Sequence, residues 1–377
     1  LAQAAIAMTP AQPAVWGPRE LDYAVHDLAV HWSAPSSQLF IACSSFIPEA
    51  SNFVEVLSVG IEGRTEVQAT RRLPHYYPPT RVRWLGGDVL ATSGDCLRIW
   101  SANGELRRLL RHDANPQARC TPITSVDSSE PPSSTVTAGV QMASSDVYGV
   151  CALWDVETGT MQQAIDLGQP LSDVAFGPNR LLAAAGDNGD CFLMDTRQSK
   201  DVAAYAPAER VKGPAKIAWG VHRPDMFAVS WQGEGGSLAL YSGAHRTKAM
   251  PRIVKSSSST IASLQWSHAY PQLLACARED GDVEVWNFPG EGLDLAATAL
   301  EPSSHWAPRG RGASCTALAM TPEVRPGSHA LVLSTMAAGQ AAPQGPEAAA
   351  GSGSLWIVAL PQPRAGHLGP VIGDRSK

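Results

Sequence analysis

Short stretches in which apolar and polar residues alternate with period two recur along the whole chain. "VHDLAVHW", "TRVRWL", "PITSVD", "LSDVAF", "PAKIAW", "IASLQW" and "CTALAM" form one series. Such alternation marks a half-buried strand. Several members end on an aromatic: Trp32, Trp84, Phe176, Trp219 and Trp266. The pattern predicts strands at Val25–Trp32, Thr80–Leu85, Ile123–Asp127, Leu171–Phe176, Ala215–Trp219, Ile261–Trp266 and Cys315–Met320. Downstream of these come hairpin patterns: small apolar residues, a Gly/Asp/Asn turn, then an alternating run closing on a large side chain. "ATSGDCLRIW", "AAAGDNGDCFLMD" and "ACAREDGDVEVWN" are the clear copies. "QMASSDVYGVCALWD", "SWQGEGGSLALY" and "GSGSLWIVAL" are weaker ones. A third series follows the closures: "EVQATRRL", "ELRRLLRH", "TMQQAIDL", "DVAAYAP", "TKAMPRIV" and "LDLAATAL".

The closing residues are Leu57, Trp100, Trp154, Met194, Tyr241, Trp286 and Trp356. Their spacing is about 40 to 54 residues, and about 70 for the last. Four short strands recurring at that period describe an all-β, seven-bladed β-propeller of WD-repeat type. A single blade cannot bury both of its faces, whereas seven set radially cover one another and leave few free edges. The third series is read as outer strands, each opening the next blade, with Leu293–Leu300 serving the last. Seven sets then require a strand from Ala14–Tyr23, so one terminal blade mixes both ends of the chain. Either that segment lies on the first blade, or the first blade borrows its outer strand from the C-terminal segment after Leu360. The predicted organisation is a flexible segment at 1–13, one propeller at 14–360 and a flexible tail at 361–377. The Ala/Gly/Pro stretch 337–353 is a low-complexity insertion within it.

The turn chemistry of the second hairpin predicts local contacts. Gly94 and Asp95 are the residue types that supply positive φ in tight turns. In well-formed repeats the turn Asp also bonds a His from the preceding loop. His75 is the expected partner of Asp95, with Ser93 and Trp100 completing the set. Asp280 and Trp286 hold the corresponding places in a later copy.

Composition narrows the function. The net charge of −6 argues against nucleic acid or an anionic membrane as a direct ligand. The 7 cysteines are scattered, without C-x-x-C spacing, and read as buried thiols of a reducing compartment, here the nucleus and cytoplasm. The Ala-rich start lacks a charged n-region and is not read as a secretory signal. There is no G-x-S-x-G elbow, no H-E-x-x-H and no Cys/His cluster. "GEGG" at 233–236 lacks the Lys-Ser/Thr of a phosphate loop and reads as a hairpin turn. No cofactor, metal or catalytic residue is therefore expected. An enzyme or small-molecule binder using the central channel is a lesser alternative, because acids from several blades can converge there.

One family adds to this reading. "LDYAVHDLAVHWSAPSSQLFIACSSFIPEASNFVEVLSV" and "PHYYPPTRVRWLGGDVLATSGDCLRIW" are followed in order by "TPITSVD" and "CALWDVETGTM". Together they resemble the Transparent Testa Glabra family, which includes the plant light-regulated WD proteins and the animal WD protein HAN-eleven, a cullin-associated factor. The likeness spans roughly residues 21 to 288 and is most specific in the first three blades. "DLGQPLSDVAF" lacks the family's His-Asp pair, and Met194 replaces the Trp of a W-D-x-R motif, so the chain looks like a divergent member. The resemblance implies a non-catalytic scaffold for MYB and basic helix-loop-helix transcription regulators, or for protein kinases. The alternative it implies is a substrate receptor of a cullin–RING ubiquitin ligase. Two sets of partner-binding candidates follow. His75, Tyr76, Tyr77 and Pro78 form a Pro-stiffened aromatic loop that offers contact area at low entropic cost. Asp195 and Arg197 stand where ligase receptors carry W-D-x-R.

Overall fold

The computed structural model describes residues 15–360 except 34–35, 49, 61–66, 87, 102, 113–120, 130–138, 206–214, 221–225, 232–236, 243–251, 255–258, 269, 271, 289–303, 307–312, 322–328 and 338–352. The described strands form seven four-stranded sheets, the blades of an all-β propeller. Blades 1 to 6 are consecutive pieces of chain: residues 24–75, 81–110, 123–166, 171–205, 215–254 and 261–306. Blade 7 holds residues 313–360 and takes Val15–Leu21 as its outermost strand. Each inner strand touches that of the next blade, and Ala313–Met320 touches Ala24–Ser33, so the ring closes. No described helix is long and apolar enough to cross a membrane.

Three expected inner strands, Leu171–Phe176, Ala215–Trp219 and Ile261–Trp266, occur with those bounds. The other four differ by a residue or two at an end: Ala24–Ser33, Arg81–Trp84, Ile123–Ser128 and Ala313–Met320. The ownership of the outer strands differs from expectation. Met161–Asp166 pairs with Val150–Asp155, the strand before it, and Val67–His75 pairs likewise with Asn52–Gly60. Each outer strand thus completes its own blade as the last stroke of an antiparallel meander. The described outer strand of blade 6 is Ser304–Trp306, paired with Val283–Asn287, and the stretch expected there, 293–300, lies outside the described residues.

The N-terminal strand resolves the closure. Val15 and Trp16 face Val358 and Ile357, and Arg19 to Leu21 face Leu355 to Gly353. The register slips between Trp16 and Arg19, where Pro18 sits. An outermost strand tolerates proline because its far edge has no ladder to feed. Blade 1 is complete from its own chain and needs neither terminus. The segments expected to be flexible, 1–13, 361–377 and all but the ends of 337–353, lie outside the described residues.

The buried apolar residues fall into seven clusters, and each spans two neighbouring blades. Strand alternation produces this arrangement. Along the second strand of blade 4, Ala183 and Ala185 enter the core shared with blade 5. Leu182 and Ala184 enter the core shared with blade 3. Both faces of a strand are therefore buried, in different interfaces. The small residues of the hairpin patterns, such as Ala42, Ala91, Ala143, Ala228 and Ala275, are fully buried on second strands. Blades converge towards the axis there, and short side chains let them approach.

Candidate interaction surface

Antiparallel strands put two kinds of loop on each end of the ring. The upper face carries the loops leading into inner strands and the hairpins joining second to third strands. The lower face carries the other two sets. The stability of the upper loops rests on polar clusters behind them.

In blade 2 the indole Nε1 of Trp100 donates to Thr92 Oγ1 at 2.9 Å, and Thr92 Oγ1 lies 3.0 Å from His75 Nε2. Asp95 does not bond His75. Its carboxylate takes two hydrogen bonds from the Arg98 guanidinium, at 2.7 and 3.2 Å. Arg98 also approaches His75 Nδ1 at 3.4 Å. Ser93 is not the hydroxyl of the set either, since its Oγ pairs with Thr80 Oγ1 at 2.8 Å. Neither Gly94 nor Asp95 adopts positive φ; in the matching turns Gly149, Gly189 and Gly281 do. Gly149 is required outright, because a Cβ there would meet the Gln169 carbonyl oxygen at 2.6 Å. Burial and the Arg98 charge push His75 down to about 3, against Asp95, so the ring is neutral.

The complete cluster lies in blade 3, where the sequence reading named none. His112 Nδ1 is 2.6 Å from Asp146 Oδ2, and its Nε2 is 2.6 Å from Ser144 Oγ. Trp154 Nε1 donates to the same Ser144 Oγ at 2.8 Å. Trp356 donates similarly to Thr335 at 3.1 Å in blade 7. The available signal was a register rule. The closing residue faces a given residue of the second strand, and the hydroxyl stands two places further on: Trp100 faces Leu90, Trp154 faces Met142 and Trp356 faces Leu333. Where the closing residue is Leu57, Met194 or Tyr241, that place holds Cys43, Ala184 or Val229. Trp286 departs from the rule. Cys276 occupies the place, and among the described residues the Trp286 N–H finds no oxygen acceptor. Asp280 there is an exposed turn residue whose Oδ1 accepts the Asp282 N–H. A fully buried Arg278–Glu284 ion pair, Nε to Oε1 at 2.9 Å, stabilises that hairpin instead.

On this support Tyr76 and Tyr77 stand out from the upper face, 59% and 54% exposed, edge to face at a 4.8 Å centroid distance. Neither packs inward. Pro78 is half-buried and Pro79 buried, and the Pro79 carbonyl is 3.1 Å from His26 Nδ1. His26 stacks on Phe46, which is 50% exposed in the blade 1 hairpin. In the other direction Gly94 lies against Pro78 and Pro79, its carbonyl accepts the Ile123 N–H, and the Pro122 carbonyl accepts the Val147 N–H. Beside Val147 is Tyr148, the most exposed large hydrophobic side chain described, at 70%. An arc of linked loops across blades 1 to 3 thus presents four exposed aromatics: Phe46, Tyr76, Tyr77 and Tyr148. His75 lies beneath this surface and Pro78 at its base.

Asp195 and Arg197 lie on the opposite, lower face, between the third and outer strands of blade 4. The buried Asp195 carboxylate takes Arg197 Nε at 2.9 Å, NH2 at 2.6 Å and the Arg197 backbone N–H at 3.0 Å. The guanidinium is held flat yet remains exposed at its outer edge. Met194 is buried behind it. The two sets of sequence candidates therefore belong to different faces.

The central channel is lined by charge that is internally paired. Arg81 bonds Asp173 and approaches Asp27 at 3.5 Å, and Arg83 pairs with Asp127 at 2.7 Å. The same acids cap backbone N–H groups of neighbouring inner strands. Asp27 accepts from Val82, Asp127 from Phe176 and Asp173 from Ile217. Burial disfavours the charge on Asp173, but Arg81 and Lys216 outweigh it and hold its carboxyl below the usual range. Burial and Arg81 lower Lys216. Among the described residues no group of three or more His, Cys, Asp or Glu could hold a metal ion.

No family model matches the chain. It is similar to the DDB1- and CUL4-associated factor 7 homolog of Dictyostelium discoideum, with 26% identity over 68% of this chain and 80% of that protein. It is also similar to the Periodic tryptophan protein 1 homolog of Drosophila melanogaster, with 25% identity over 40% of this chain and 33% of that protein. With the seven-bladed ring, these likenesses support reading the chain as a WD-repeat protein.

Proposed function

We propose that the chain is a non-catalytic scaffold that binds other proteins through its upper face. The observation that carries this reading is the arc of Phe46, Tyr76, Tyr77 and Tyr148. Aromatic side chains supply large contact areas with few rotatable bonds and are enriched at binding hot spots. A patch of them on rigid loops is a recognised mark of an interaction site. The paired charges of the channel fit a structural role better than catalysis. The partners implied by the family resemblance are MYB and basic helix-loop-helix regulators or protein kinases, in the nucleus and cytoplasm. The test is to measure binding of purified candidates from these classes to wild type and to a Tyr76→Ser, Tyr77→Ser, Tyr148→Ser variant. Loss of a wild-type interaction at an unchanged melting temperature supports the reading, and retained affinity refutes it.

A second reading, a substrate receptor of a cullin–RING ligase, is favoured by the Asp195–Arg197 clamp and by the likeness to a DDB1- and CUL4-associated factor. It predicts that the ligase's adaptor is captured by the wild-type chain and released by Arg197→Ala. Capture that ignores this substitution removes the clamp from the argument.

A further inference from the structure

On the lower face a groove of about 430 Å³ opens between blades 2 and 3. Its floor is apolar. Leu85 and Val89 come from the first loop of blade 2 and Ile99 from its third strand, while Val140 and Val156 come from blade 3. Its rim is cationic, and the cause is local. The ladder between the third and outer strands of blade 2 slips, with Ile99 facing Arg108 and Trp100 facing Leu106. Arg107 is the extra residue at the slip, and Arg107 and Arg108 both line the groove. Arg108 NH2 crosses to the Glu157 carbonyl at 2.7 Å and closes one side. Arg107 makes no hydrogen bond or ion pair among the described residues. The groove is lined by two guanidiniums and the Glu157 carboxylate, with Asp155 near enough to act on Arg108, on a chain whose net charge is −6.

The same outer strand exposes two leucines on its opposite face, the side of Trp100 and blade 1. Leu106 and Leu109, 48% and 45% exposed, are the aliphatic members of the exposed large side chains. They sit on an outer strand whose far edge has no neighbour in its sheet. Arginines on such an edge guard against unwanted strand pairing. That role does not explain the cavity that Arg107 and Arg108 border.

We propose that this groove docks a short acidic segment of a partner protein, distinct from any partner of the upper face. A large apolar side chain of that segment fills the cavity, and its flanking carboxylates bond Arg107 and the free edge of Arg108. Charge complementarity selects this occupant, because a basic segment would meet the two guanidiniums of the rim, of which Arg107 has no carboxylate partner among the described residues.

The probe is a fluorescein-labelled hexapeptide, Glu-Glu-Leu-Phe-Glu-Glu, with a second peptide carrying Lys at every Glu. Anisotropy titrations use the full chain. The acidic peptide is expected to bind, with affinity weakened by about tenfold or more in Arg107→Glu at unchanged melting temperature, and the lysine peptide to bind at least about tenfold more weakly. If Arg107→Glu melts early, Arg107→Gln takes its place, with a loss of about threefold expected. Equal binding of the two peptides, an affinity indifferent to Arg107, or no binding of the acidic peptide at millimolar concentration overturns the proposal. The upper-face triple variant should bind the probe as wild type does, and loss there also overturns it.

Discussion

Asp173 joins four blades through one carboxylate, and its removal tests how the ring is held. The side chain is buried in blade 4 and accepts hydrogen bonds from Ser125 of blade 3 at 2.6 Å and the Ile217 N–H of blade 5 at 3.0 Å. It also pairs with Arg81 of blade 2. Asp173→Ala strands a backbone N–H, a hydroxyl and most of a guanidinium's counter-charge. Breaking one side of a buried ion pair costs about 3–5 kcal/mol. Arg81 retains Asp27 at 3.5 Å and keeps a fifth of its side chain exposed, which places the expected loss near the lower end, ~3 kcal/mol. Asp173→Asn keeps the shape and part of the hydrogen bonding and should lose less, ~1–2 kcal/mol. Urea denaturation followed by tryptophan fluorescence and by circular dichroism measures both, and a double-mutant cycle with Arg81→Met isolates the pair. Acid provides a further arm. The native carboxyl titrates below its ordinary 3.8. Between the native value and 3.8 the unfolded chain binds the proton and the native one does not. The contribution of Asp173 is therefore complete above that range and is lost as pH falls through it, so Asp173→Asn should flatten the acid limb. A loss under ~1 kcal/mol for Asp173→Ala, or strict additivity with Arg81→Met, would refute the claim that this carboxylate locks the blades.

Three further outcomes are expected. Ser144→Ala should cost ~2–3 kcal/mol in urea, because His112 and Trp154 lose a shared buried oxygen; a change below ~0.5 kcal/mol would show that the blade 3 cluster is ornamental. His75, pushed down from 6.5 to about 3 by burial first and Arg98 second, should erode stability as pH falls from 6.5 towards 3, by up to ~1.4 kcal/mol per pH unit. His75→Gln should give a flatter profile over that window, and an unchanged slope would contradict a buried neutral ring. Deleting residues 1–22 should lower the melting temperature by several degrees, since it strips the strand paired with Gly353–Leu360 and the Arg19 hydrogen bond to the Val67 carbonyl of blade 1; deleting 361–377 should change it far less, and equal effects would argue against an N-terminal clasp.

The parts of the fold legible in the sequence are those in which a local pattern has one solution. An alternating run ending on an aromatic, such as "LSDVAF", reads as a strand of that register, although in the ring it is buried on both faces and not on one. Ownership of an outer strand is a different kind of fact. Met161–Asp166 is separated from the strand before it by residues 156–160 and from the strand after it by residues 167–170, and loops so similar do not say which side pairs. Only ring closure decides, through Val15–Leu21. Two residues separate that strand from the first strand of blade 1, yet it hydrogen-bonds to Gly353–Leu360. The tyrosine pair at 76 and 77 was visible because two adjacent aromatics on a proline-stiffened loop offer contact area, although one of them packing inward fitted the sequence as well. Phe46 and Tyr148 were not, since a single aromatic at a hairpin turn is as compatible with core as with surface. Asp95 was read against a distant His75, but Arg98, three residues along the same hairpin, reaches it first.

The channel acids show why a polar residue inside an apolar strand carries more information than its neighbours suggest. Inner strands of adjacent blades are splayed around the axis and cannot share a backbone ladder, so each leaves one edge of N–H groups facing the channel. Buried backbone donors require acceptors. Asp27, Asp127 and Asp173 supply them across blade boundaries, as Gln265 does for the Met320 N–H. The acceptor sits 44 to 55 residues from its donor, about one blade along the chain. Carboxylates placed this way would repel one another around a narrow axis, and Arg81 and Arg83 neutralise them from a single strand of blade 2. A carboxylate or amide at the buried phase of an inner strand is thus a connector to the next repeat, and the paired arginines of "TRVRWL" are the counter-charges that connection requires.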